Sequence, residues 1–226
     1  MIPWSLIDTA PVPGSSENTL RLMQRGTEFS IMLGQNELMN SRLSGSEEAL
    51  ATIACTHIKG VPHPHMLIGG LGMGFTLRAA LAELTDKAQV IVAELMPAVV
   101  AWARGPLAPI FGQSLTDPRV TIREADVGEL IRSRRSAFDA ILLDVDNGPD
   151  GLVREANGAL YDARGLSAAY SALRPGGVLM VWSSGPDRNF TQRLRRTGFN
   201  TEEIPMRANG KRGGARHVIW KATRTK

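Results

Sequence analysis

The run His65-Met66-Leu67-Ile68-Gly69-Gly70-Leu71-Gly72-Met73-Gly74-Phe75 is answered, twenty residues after Gly74, by Val90-Ile91-Val92-Ala93-Glu94, and few folds accommodate that pair. An apolar strand ending in closely spaced glycines, then a helix, then a second apolar strand ending in an acid is how α/β proteins hold a ribose-bearing cofactor. Glycine brings the backbone close to a ligand where any Cβ would collide, and the N-terminus of the helix that follows offers free N–H groups. Glu94 is then placed to accept hydrogen bonds from ribose hydroxyls.

Beyond this loop the pattern alternates. Strands are predicted near 66–69, 89–94, 119–124, 138–144, 177–183, 200–205 and 215–221, with helices near 75–85, 97–104, 127–133, 163–173 and 188–197. Uninterrupted apolar strands such as Ala140-Ile141-Leu142-Leu143 and Val178-Leu179-Met180-Val181-Trp182 belong in a parallel sheet covered on both faces. The last two strands leave no room for a helix between them, so they are expected as an antiparallel hairpin at one edge. The expected fold is α/β: a doubly wound, mostly parallel seven-stranded sheet over residues 65–226, with an N-terminal extension over 1–64. In that extension Pro3, Pro11, Pro13 and Gly14 give a loose start, and Glu28–Leu33 and Glu37–Ser41 form a hairpin around Gly34-Gln35-Asn36. Ser44 and Glu47 read as a capping box for a helix carrying the apolar residues from Ala49 to Ile58, which Val61-Pro62-His63-Pro64 ends.

Composition narrows the partners. No segment approaches the run of about 18 apolar residues that a membrane span needs. The start carries Asp8 and no basic n-region, so a cytoplasmic chain is expected. The single cysteine, Cys55, sits among apolar residues and reads as a small buried hydrophobe. Residues 186–226 hold 11 of the 26 Lys and Arg and 3 of the 22 Asp and Glu, so residues 1–185 carry a net −4. The basic character, including Arg193, Arg195, Arg196 and Lys211-Arg212, is thus a property of the chain's end, and nucleic acid is not the expected partner. His57, His63, His65 and His217 have no cysteine or carboxylate at metal-ligand spacing, so no metal is expected.

Two ligands compete for the glycine loop. A dinucleotide fingerprint spaces its glycines G-x-G-x-x-G, but here Gly70, Gly72 and Gly74 run G-x-G-x-G and Phe75 stands where the third would be needed. An S-adenosylmethionine-type cofactor fits better. Glu94, Asp126 and Asp144 end three successive strands; Asp126 could take a hydrogen bond from an adenine amino group, and each acid could instead cap the next helix. The candidate cofactor residues are Gly69, Gly70, Gly72, Gly74, Glu94, Leu95, Asp126, Val127 and Asp144. Asp144 is the candidate base or acceptor-orienting carboxylate, Asp146 and Asn147 would orient the acceptor, Tyr161 would close the pocket, and 147–162 would form a lid.

The chain resembles the spermidine synthase family within the class I S-adenosylmethionine-dependent methyltransferase fold. Gly69-Gly70-Leu71-Gly72-Met73-Gly74 is similar to that family's GGGDGG loop, and Asp117-Pro118-Arg119-Val120 with Ala125-Asp126 to its DPRV…GD segment. Phe138–Asp144 is similar to its FDVIIVDSSDP strand, and Leu160-Tyr161 with Leu173-Arg174-Pro175-Gly176-Gly177-Val178-Leu179 to its LF/LY…LKPGGVL stretch. The likeness covers about residues 65–183 well and 28–58 loosely. It implies a transferase with an S-adenosylmethionine-type cofactor and a small-molecule acceptor, in polyamine biosynthesis.

Three departures bear on the chemistry. The acid that the family carries in its glycine loop, to pair with the aminopropyl ammonium, is Gly72 here. The DSSDP loop reads Asp144-Val145-Asp146-Asn147-Gly148-Pro149, and the family's amine-lining Tyr and His or Gln have no match in Glu47–Thr52. Losing the loop acid removes a charge-assisted hydrogen bond worth about 1.5–3 kcal/mol, which favours ordinary S-adenosylmethionine and methyl transfer. Aminopropyl transfer from decarboxylated S-adenosylmethionine is the alternative, and a non-catalytic binding module the second. The N-terminal hairpin or the sheet edge offers a face for a homodimer.

Overall fold

The computed structural model describes residues 2–13, 18–145, 155–209 and 213–225. Four strands, β1 (Ser5–Pro11), β2 (Thr19–Arg25), β3 (Glu28–Leu33) and β4 (Asn36–Asn40), form an antiparallel sheet in that order. The loose start expected from the prolines is therefore half of a sheet. Alternation at Leu20 and Leu22, which point inward from β2 and are buried, outweighs the prolines, which fall before β1, at its end and in the turn beyond it. Helix α1 (Gly45–His57) follows, and its capping box is absent: Ser44 makes no side-chain cap, which frees Glu47 to point elsewhere.

The second sheet begins with β5 (His65–Gly69), α2 (Phe75–Glu83), β6 (Gln89–Glu94), α3 (Pro97–Arg104), the short α4 (Ala108–Phe111) and β7 (Val120–Glu124). It continues through α5 (Val127–Arg132), β8 (Phe138–Leu143), α6 (Glu155–Tyr161), α7 (Ala163–Ala172), β9 (Leu173–Ser183), α8 (Arg188–Thr197), β10 (Phe199–Arg207) and β11 (Arg216–Arg224). Spatial order is β10-β11-β9-β8-β5-β6-β7; β11 runs antiparallel to both neighbours and the other pairings are parallel. The chain winds outward from β5 in one direction and then from β8 in the other. Their carboxyl ends diverge there and leave the crevice in which open α/β sheets bind ligands.

Every residue of β8 is buried, as two-sided coverage requires. Met66, Ile68, Ala140, Leu142, Val178 and Met180 face one core, and Leu67, Ile141, Leu143, Leu179 and Val181 the other. The first core runs without a break into the N-terminal sheet through Leu22, Phe29, Ile31 and Leu50. Trp102 Nε1 also donates to Asp8 Oδ2 at 2.7 Å, fastening β1 to α3 and holding the Asp8 carboxyl below its ordinary range. The sheet is thereby seated over the crevice. Helices α4 and α6, too short to show periodicity, went unpredicted; α6 falls in the stretch read as a lid, of which 147–154 lie outside the described residues. No helix among the described residues is long and apolar enough to cross a membrane.

Candidate active site

Past β5 the chain alternates left-handed glycines, Gly70 (φ 91°), Gly72 (50°) and Gly74 (75°), with the buried Leu71 and Met73. The loop lies hard against the end of β8: a Cβ on Gly70 would sit 2.2 Å from the Asp144 carbonyl oxygen, and the Asp144 N–H donates to the Gly69 carbonyl at 2.9 Å. Gly74 begins α2, and a Cβ there would meet the Phe111 ring at 2.4 Å. Gly69 packs beneath the loop against Val127 and Leu143. Gly70→Ala is expected to destabilise the protein by about 2 kcal/mol, because it combines a disfavoured φ with a backbone collision. Urea unfolding measures this, and an unchanged midpoint would contradict the loop geometry.

A cleft with an open volume of about 880 Å³ is floored by Gly70, Gly72, Glu94, Leu95, Asp126, Val127 and Asp144 and roofed by side chains of β2, β3 and β4. Glu94 is 8% exposed, and its two oxygens accept the backbone N–H groups of Leu71 and Met96, each at 2.8 Å. Burial raises its pKa against the pull of those N–H groups. The Gly72 and Leu95 N–H groups favour its charged form as well, so Glu94 braces the loop on backbone donors while it lines the cleft. Asp126 also has two tasks open to it: Oδ1 caps α5 through the Gly128 N–H at 2.6 Å, and the side chain lines the cleft.

A second cleft adjoins the first, sharing Leu38, Met39, Gly72 and Asp144, and adds Asn40, Glu47, Met73, Gly74, Phe75 and Trp182. Here two carboxylates meet. Asp144 Oδ2 accepts from Thr76 Oγ1 at 2.6 Å, and that hydroxyl lies 3.3 Å from the Glu47 carbonyl, so Thr76 on α2 sits between Asp144 and the first turn of α1. Glu47 Oε2 accepts from Ser46 Oγ at 2.7 Å. Burial, and for Glu47 the Asp144 charge as well, pushes both above the ordinary carboxylate range, Glu47 to about 7. Such a pair holds a proton near neutral pH unless a cation joins it.

Glu47 is the functional candidate that the sequence hid. An acid three residues after a serine at a helix start reads as a cap, and nothing local shows that the helix aims it at the carboxyl rim of another sheet. Trp182 reads as a core strand residue; it is buried, yet it lines this cleft, and its Nε1 has no hydrogen-bond partner among the described residues. Asp146 and Asn147 lie outside the described residues. Tyr161, expected to close the pocket, is buried in the second core with its ring edge-on to Phe190 and its hydroxyl donating to the Val145 carbonyl at 3.4 Å; it lines neither cleft. Cys55 is buried as expected, its thiol pushed up to about 12.

No family model matches the chain. It is 33% identical over 127 residues, 55% of its length, to polyamine aminopropyltransferase 1 of Streptomyces coelicolor, and 32% identical over 124 residues to polyamine aminopropyltransferase 2 of Pseudomonas aeruginosa. The matches span only 23% and 33% of those proteins. Among solved structures it superposes on spermidine synthase from Thermotoga maritima with a TM-score of 0.74 at 21% identity, covering 97% of this chain and 72% of that one. A spermidine synthase in complex with the transition-state analogue AdoDATO gives 0.77 at 22% identity, with 97% and 73% covered. These relatives overturn the expectation of methyl transfer, since those named for an activity are aminopropyltransferases. That expectation rested on the acid missing at Gly72, and the Glu47 carboxylate faces the same cleft as Gly72. The chain has the spermidine synthase fold, and over just more than half its length its sequence is similar to the polyamine aminopropyltransferases.

Proposed function

We propose that this chain transfers an aminopropyl group from decarboxylated S-adenosylmethionine to a polyamine-type amine. The observation that carries the reading is the Glu47–Asp144 pair in a cleft that shares Gly72 with the nucleoside-sized crevice. Two partly enclosed carboxylates repel each other, and an ammonium between them relieves the repulsion. A cationic acceptor is the ligand such a site favours.

Glu94 would hold the ribose and Asp126 the adenine edge, while the left-handed glycines let the backbone approach the sulfonium end. When bound, the decarboxylated cofactor supplies an electrophilic carbon on a sulfonium, and methylthioadenosine is the leaving group. Asp144 lies at the junction of the two clefts, placed to orient the amine and to take the proton that the nitrogen must lose. Glu47 holds the ammonium beside it and supplies the negative charge that Gly72 lacks. The apolar walls, Leu38, Met39, Phe75 and Trp182, suit a methylene chain and keep water from the reacting centre.

Incubation with decarboxylated S-adenosylmethionine and a panel of diamines and triamines is expected to release methylthioadenosine in step with the elongated amine, read by chromatography. No methylthioadenosine with any amine of the panel overturns the reading.

A further inference from the structure

Ser46 is fully buried on α1, and its hydroxyl meets two partners: Glu47 Oε2 at 2.7 Å and, from β11, His217 Nδ1 at 2.9 Å. A serine hydroxyl carries one hydrogen. With that hydrogen given to the carboxylate, the His217 contact is satisfied only if Nδ1 carries a proton and donates. The imidazole also packs edge-on to Trp182, centroids 4.7 Å apart, so one side chain braces both Glu47 and the tryptophan wall of the second cleft. Its other flank lines a groove over β10 and β11 that holds Glu203, Arg207 and Arg216. The far end of α1 is fixed too, where His57 Nε2 donates to the Gly176 carbonyl at 2.9 Å.

We propose that His217 and Ser46 are positioning residues, which through the chain His217 Nδ1–H, Ser46 hydroxyl and Glu47 carboxylate favour the ionised form of Glu47 and aim it at the acceptor amine. The logic is that of an imidazole oriented by its second partner, with the order of the groups reversed. Burial lowers the His217 pKa, so near neutral pH the ring is neutral and acts by hydrogen bonding. Glu47 faces Asp144 and Glu48, both of which disfavour its charge, and Ser46 is the side chain that opposes them. The role in acceptor binding rests on the function proposed above; the hydrogen-bond chain does not.

The test uses the whole chain with Ser46→Ala, His217→Gln and His217→Phe. In the ligand-free protein, nitrogen NMR is expected to show His217 in the Nδ1–H tautomer and Ser46→Ala to lose that preference. Carbon NMR is expected to show Glu47 titrating at higher pH in Ser46→Ala and His217→Phe than in the parent, because a donor to the charged form has been removed or left unoriented. With amine acceptors, these two variants are expected to raise KM about ten-fold, the loss of one hydrogen bond to a charged group. His217→Gln, which keeps an N–H donor, should recover most of it. An Nε2–H tautomer in the parent, or one Glu47 titration midpoint shared by all four proteins, overturns the proposal. Absence of turnover in the parent would sink the proposed function while the two NMR readings still decide this one.

Discussion

Asp144→Asn is expected to lower kcat for aminopropyl transfer by about a thousand-fold, the range over which a positioned acid–base group acts. Glu47→Gln is expected to act chiefly on amine affinity, raising KM by ten-fold or more as the ammonium loses one of its two counter-charges. Both variants should make the ligand-free protein more stable above neutral pH. Glu47 is raised from 4.5 to about 7 in the folded chain, so between those values the folded state holds a proton that the unfolded state releases. Stability then falls as pH rises through that window, and replacing the carboxylate by an amide removes the fall. Amine binding should tighten over the same window and release protons, since the cation takes the place of the proton on the pair. Melting curves from pH 4 to 8 and calorimetry in buffers of different ionisation heat measure these effects. A melting profile that rises from pH 5 to 7 in the parent would contradict the pairing of Glu47 with Asp144.

Glu94→Ala is expected to weaken methylthioadenosine binding by about a hundred-fold, because it removes the sugar's acceptor and leaves the Leu71 and Met96 N–H groups without their partner. Glu94→Gln should fall between the two: one amide oxygen can still accept, while the NH₂ is turned toward a backbone donor. Titration calorimetry with methylthioadenosine gives both numbers. Equal affinity in all three proteins would place the nucleoside somewhere other than the crevice between β5 and β6.

What could be read along the chain was local. Alternation placed the seven strands of the second sheet close to where they lie, and the apolar runs at 140–143 and 178–182 gave two-sided burial. The glycine spacing gave the loop, since positive φ at Gly70, Gly72 and Gly74 is a demand on those residues themselves. Proline content misled at the start of the chain, where Leu20 and Leu22 alternate into a strand over β2. Tyr161 was singled out for its place in a motif; a tyrosine serves equally well as a core ring whose hydroxyl finds a carbonyl, and it does so here.

By itself the sequence determined the sheet, its switch point and the crevice with Glu94 and Asp126 at its edge, because periodicity, glycine conformation and strand-end acids act over a few neighbouring residues. Only the tertiary structure decided the electrostatics of the second cleft. An acid absent at Gly72 looks like a lost charge along the chain, but electrostatic interaction depends on distance through space, and α1 brings Glu47 to the same cleft from 25 positions upstream. The Ser46 and His217 side chains that brace it stand 171 positions apart and meet because β11 closes the sheet beside β9.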